Sequence, residues 1–153
     1  VTRRVLLLVL ALALLAGCTS HQQPISTTTT LSTLGQPKPT ITPGVVATTS
    51  RADVCTAGWA SKHRRSLTAA QKAAVLKAYG YPASQKVAEW DHLLPLELGG
   101  GNGAKNIWPQ LNDRDQQRKD GLENRLHAAV CRTKDPLPLT VAQDEIIHFW
   151  LHW

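Results

Sequence analysis

The chain of 153 residues contains no methionine, one phenylalanine and two tyrosines. In so thin an aromatic set, Trp108, Trp150 and Trp153 are expected to pack a core before they stack on any base. There are three cysteines and none lies in a C-x-x-C pair, which argues against a Cys₂His₂ zinc site. The longest apolar run, Val5 to Ala16, falls short of the roughly 20 residues that a membrane-spanning helix needs. No segment repeats, which excludes a solenoid. Ser66 and Ser84 lack the His-Asp setting that would make either a nucleophile. No acidic residue occurs between Asp53 and Glu89.

What is present begins with Val-Thr-Arg-Arg and the apolar run, then Gly17-Cys18. A short basic start before such a run reads as a secretory signal. Its end, Leu15-Ala16-Gly17-Cys18, resembles the lipobox of bacterial lipoproteins. The resemblance implies a signal peptide over residues 1–17, cleavage before Cys18 and a diacylglyceryl thioether on that sulfur. The expected location is the cell envelope, facing the periplasm or exterior, with contact to the membrane through the N-terminal lipid anchor only. Residues 18–52 are rich in Thr, Ser, Pro and Gln and nearly uncharged, and they read as a flexible tether. With Cys18 lipidated, Cys55 and Cys131 are left as an even pair and read as one disulfide in an exported domain. Two buried free thiols are the alternative. The folded domain is expected over residues 53–153, as a monomer.

The formal charge is +6; without Arg3 and Arg4 it is +4. The acid-free stretch carries Lys62, Arg64, Arg65, Lys72, Lys77 and Lys86, with His63 among them. Such a stretch suits a polyanion, of which nucleic-acid phosphate is the commonest. A solvated helix face, or attraction to anionic lipid, accounts for the same charges. Thr68-Ala-Ala-Gln71 has capping-box spacing and opens a helix over 69–79, stopped by Gly80 and Pro82. Lys86 to Trp90 and Asn106-Ile107-Trp108 read as short extended pieces around a glycine-rich loop at 99–105. A helix is expected from Asp113 to Val130, with Leu122, Leu126, Ala129 and Val130 on one face. Thr140-Val-Ala-Gln143 repeats the capping-box pattern and opens a last helix through Trp150.

Chemistry concentrates in Asp91-His92-Leu93-Leu94-Pro95-Leu96-Glu97-Leu98, followed by Gly99-Gly100-Gly101 and closed by Asn106-Ile107-Trp108-Pro109. A packed core has no need for Asp-His there. A metal-assisted hydrolase does, since one group can hold a cation while the other takes a proton from water. This block resembles the motif of the HNH nucleases, a branch of the ββα-metal endonucleases, over roughly residues 90–125. The longer run also resembles small exported HNH-type proteins with one cysteine before it and another after it.

The resemblance implies an α+β fold, a small domain with a ββα-metal (HNH-like) core flanked by additional helices. It implies a metal-dependent endonuclease that hydrolyses phosphodiester bonds, of DNA sooner than RNA. His92 would be the general base, Asp91 a metal ligand, and Asn106 the residue that ties the loop by bonding backbone. Asp115 would be the ligand from the helix, with Asp120 and Glu123 as fallbacks. The divalent cation would be Mg²⁺ before Mn²⁺, Zn²⁺ or Ni²⁺. Arg114, Arg118 and Lys119 are placed to hold the scissile phosphate. One geometric tension is visible already: in a regular strand Asp91 and His92 point to opposite faces. They share a site only if the chain leaves strand geometry there. His148 and His152, four apart, read as a chance pair sooner than as ligands. The alternative is a catalytically inactive HNH-like lipoprotein that binds nucleic acid or an envelope partner. A third reading is a structural lipoprotein whose basic face meets membrane or cell-wall polymer.

Overall fold

The computed structural model describes residues 35–111 and 116–151. Cys18, Asp115 and Arg114, with His152 and Trp153, lie outside the described residues. Among the described residues there are five helices and one two-stranded antiparallel sheet, an α+β domain. In chain order these are α1 (Arg51–Val54), α2 (Trp59–His63), α3 (Ala69–Tyr79), β1 (Glu89–His92), a 3-10 turn (Leu96–Leu98), β2 (Ile107–Gln110), α4 (Gln116–Cys131) and α5 (Leu139–Leu151). None of these helices is long and apolar enough to cross a membrane.

Helix α3 has the expected bounds. Thr68 accepts from the Gln71 backbone N–H, and the Gln71 side chain accepts in return from the Thr68 N–H, a complete capping box. Gly80 closes the helix in the left-handed region at φ 78°, where glycine pays no Cβ penalty. The strands lie later in the chain than the sequence suggests. β1 pairs with β2 in the register Glu89 to Gln110, Trp90 to Pro109, Asp91 to Trp108 and His92 to Ile107. The second capping box does not form. Helix α5 already includes Leu139, and Gln143 turns away to donate to the carbonyls of Thr48 and Leu98, each at 2.8 Å. Those two carbonyls are stronger claimants than a helix end that Pro138 already serves.

The largest departure lies before the expected domain start. The flexible tether does not extend over residues 35–52, which are packed on the domain. Thr42 is fully buried and shares a 2.7 Å hydrogen bond with the Tyr79 hydroxyl. The Gly35 N–H donates to the Tyr81 hydroxyl and the Lys38 N–H to the Tyr79 hydroxyl, both at 3.1 Å. Val46 forms a β-bridge to Gly100. A stretch with few large apolar groups is held by backbone and hydroxyl bonding, with Ile41 packed against the core.

The core joins Leu93, Leu94, Leu98, Ile107 and Trp108 from the hairpin region to Val130, Ile146 and Trp150 from α4 and α5. Trp108 and Trp150 are buried with ring centroids 6.1 Å apart, so these two tryptophans do pack the core. Cys55 and Cys131 are disulfide-bonded, with Cα atoms 5.4 Å apart. The bond ties the end of α1 to the end of α4. Beside it Arg51 donates to the carbonyls of Val130 and Arg132, serving acceptors that α4 leaves open at its C-terminus.

The cysteines are 76 residues apart, a loop whose closure entropy corresponds to about 4 kcal/mol. Replacing both by serine is expected to lower the denaturation free energy by about 2–4 kcal/mol in urea titrations. A variant as stable as the parent would show that the crosslink restrains little.

Candidate active site

The glycine loop is fixed by one buried amide. Asn106 opens β2, is fully buried, and faces the backbone that leaves β1. Its Oδ1 accepts from the N–H of Leu94 at 3.0 Å and of Val45 at 3.2 Å. Its Nδ2 donates to the carbonyls of Leu94 and Gly101, both at 2.8 Å. All four bonding positions of the amide are used. The loop closes this tightly because it is glycine: a Cβ on Gly100 would stand 1.8 Å from the Leu94 carbonyl oxygen. Gly99 sits at φ 83°, with space for a Cβ blocked by the Thr48 carbonyl at 2.4 Å.

His92 ends β1. Its face of the hairpin carries Trp90, Ile107 and Pro109, following the two-residue alternation of a strand. With Trp90, Ile107 and Leu67 it lines a small pocket whose other walls are Arg64, Arg65, Ser66 and Lys72. The Lys72 ammonium lies 5.6 Å from the centre of the Trp90 ring. The His92 ring is 6 % exposed, and Nε2 is 3.3 Å from Asn102 Oδ1. Asn102 has a defined orientation, since its Nδ2 donates to the His63 carbonyl at 2.8 Å and its Oδ1 accepts from the Arg65 N–H at 2.9 Å. Nε2 therefore carries the proton, and the lone pair of the neutral ring is on Nδ1. Burial holds the imidazole pKa below its ordinary value. The Arg64 charge adds to this, partly offset by the Asn102 bond and by Asp91.

Asp91 leaves the strand on the other side. It shares its face with Glu89 and Trp108, and its carboxylate is 3.0 Å from Lys119 Nζ. The same ammonium contacts Glu123, one turn further along α4. Lys119 is 1 % exposed. Burial alone would push its pKa down, but the two carboxylates outweigh it and raise it. One ammonium answers two carboxylates, and burial pushes the Glu123 carboxyl up to about 7. Glu89 is also raised, by burial first and then by Asp91 and Asp120.

These positions revise several expectations. The chain keeps strand geometry through His92, so Asp91 and His92 do not converge. Asp115 lies outside the described residues. Lys119, expected to hold phosphate, is instead sealed against Asp91 and Glu123. Asp120 is exposed on α4. His148 is exposed on α5, and its expected pair, His152, is not described. Among the described residues no group of three His, Cys, Asp or Glu side chains could hold a metal ion. The residues that sequence reasoning missed are Asn102, which has no distinguishing pattern around it, and the Lys119–Asp91 pair. The i, i+4 spacing of Lys119 and Glu123 was a readable signal for half of that cluster. Comparison of the chain with protein-family models, curated proteins and solved structures finds no match.

Two measurements follow from this geometry. Asn106→Ala strands backbone groups in three segments, and a loss of about 2–4 kcal/mol is expected from urea denaturation; a loss below 1 kcal/mol would contradict the pinning role. The contribution of His92 to stability is complete above about pH 6.5, the unfolded value, and is lost as pH falls toward the lower folded value. By NMR the ring should titrate below about 6.5, and His92→Asn should flatten the acid side of the Tm–pH profile. A titration midpoint above that value would overturn the assignment.

Proposed function

We propose that this domain is an endonuclease of the HNH type that hydrolyses phosphodiester bonds of nucleic acid, DNA sooner than RNA, with His92 as general base. It would act in the cell envelope, outside the cytoplasm, on a lipid anchor at Cys18. The observation that carries this reading is the His92 pocket, where a buried neutral imidazole is walled by Arg64, Arg65 and Lys72. The order of elements supports it: a hairpin with an Asn-pinned glycine loop, then helix α4.

A phosphodiester brought to this pocket meets three cationic side chains, which offset its charge and the charge that builds up on attack. Nδ1 of His92 carries the lone pair that takes a proton from water. The Asn102 carbonyl oxygen holds the opposite ring nitrogen and favours the imidazolium once formed. The low pKa keeps the base unprotonated at neutral pH.

A divalent cation on Asp91 and Asp115, Mg²⁺ first, belongs to the HNH reading. The described residues do not offer it a place: the position beside Asp91 is taken by the Lys119 ammonium. No step is therefore assigned to a metal. The same closure favours a second reading, an inactive HNH-like lipoprotein that binds nucleic acid or an envelope partner.

Plasmid nicking by the full chain with its disulfide formed separates the two. Nicking is expected, with a loss of about 100-fold or more in His92→Ala. Dependence on added Mg²⁺ or Mn²⁺, abolished by EDTA, would mean that a cation displaces Lys119 from Asp91. Bound but uncut DNA would establish the inactive reading.

A further inference from the structure

The His92 pocket has a neighbour. On the other side of Asn102 a groove of about 650 Å³ runs between α2 and the glycine turn. Asn102 lines this groove and also touches the His92 ring, so a wall of the groove is in contact with a wall of the His92 pocket. One wall is an aromatic pair. The rings of Trp59 and His63 stack with centroids 4.2 Å apart and planes 23° apart. His63 Nδ1 lies 2.7 Å from the Trp59 carbonyl oxygen, and Trp59 packs against the core. The His63 carbonyl is tied to Asn102 as well. Lys62 lines the groove, and its ammonium forms no ion pair with any carboxylate among the described residues. Arg64 and Arg65 follow directly in the chain and line the His92 pocket.

We propose, building on the nucleic-acid reading above, that this groove takes one unpaired nucleotide of a single strand, next to the phosphate that faces His92. The base lies on the Trp59–His63 stack and a flanking phosphate meets Lys62. The groove is within the size range of small-ligand sites, about 300–1,000 Å³. The lining also includes the Asp53 carboxylate, which accepts from the Thr48 hydroxyl at 3.1 Å, so the phosphate is placed at Lys62. A flat aromatic pair beside a lysine is the chemistry that binds single strands without reading sequence, because every base has a π-face. A base in a duplex is already stacked and paired, and reaches such a platform only by leaving the helix. The domain should therefore prefer unpaired segments to intact duplex.

The test is binding by the full chain carrying His92→Asn, in EDTA, so that cleavage plays no part. The probes are a fluorescent ten-residue oligothymidylate and a ten-base-pair duplex at fixed salt. The single strand is expected to bind about tenfold tighter. Trp59→Ala should remove about tenfold of that affinity, Trp59→Phe should keep most of it, and Lys62→Glu should weaken binding and lower its salt dependence. Circular dichroism checks each variant; should Trp59→Ala misfold, His63→Ala, on an exposed side chain, serves in its place. Equal affinity for both probes, or single-strand binding unmoved by these variants, overturns the groove and leaves the nuclease reading standing. Absence of binding to either probe overturns both.

Discussion

The site region depends on the side-chain amide of Asn106. It gathers three stretches of chain: the N-terminal segment at Val45, the exit from β1 at Leu94 and the glycine loop at Gly101. In an apolar interior each of those backbone groups would be costly without a partner. A single planar group with two donors and two acceptor positions satisfies four bonds at once. The buried leucines 93 and 94 fill the space around it, and the glycines allow the approach. The rigid loop in turn places Asn102, which orients the His92 ring. The chemistry proposed for His92 therefore rests on a residue that touches no substrate.

The hairpin solves two electrostatic problems on its two faces. On one, a buried imidazole sits among arginine and lysine and stays neutral. On the other, two half-buried carboxylates crowd together, and the buried Lys119 ammonium offsets part of their charge. A buried pair of this kind stabilises little relative to an apolar replacement, but losing one partner is costly. Here it joins α4 to β1. The sequence motif places Asp and His side by side; the strand sends them to different environments.

Helix α3 was legible because its signals are local: Thr68 and Gln71 at one end, Gly80 at the other. The helix–hairpin–helix–helix order was legible for the same reason. Helices α1 and α2 were not, being four and five residues long and too short to show a period. The packed segment over 35–50 was hidden by composition, since threonine, serine and proline signal a linker unless Tyr79, some forty residues on, is known to be the partner. The Thr140 box failed because the Gln143 side chain found better acceptors far away in sequence. The site was half legible. His92 and Asn106 stand at the loop that the glycines announced, whereas Asn102 and the direction of Lys119 depend on tertiary contacts that no spacing reveals.

Gln143 carries one further consequence. Its amide joins α5 to Thr48 and Leu98, so one bond set links the early segment, the loop in the middle and the closing helix. Part of the support around the loop therefore comes from the closing helix. Contacts that far apart must wait for the slow search that closes long loops. A chain whose last helix has not yet docked would hold the histidine and the glycines without the scaffold that orders them. Order at the loop then arrives late and all at once, when the closing helix docks.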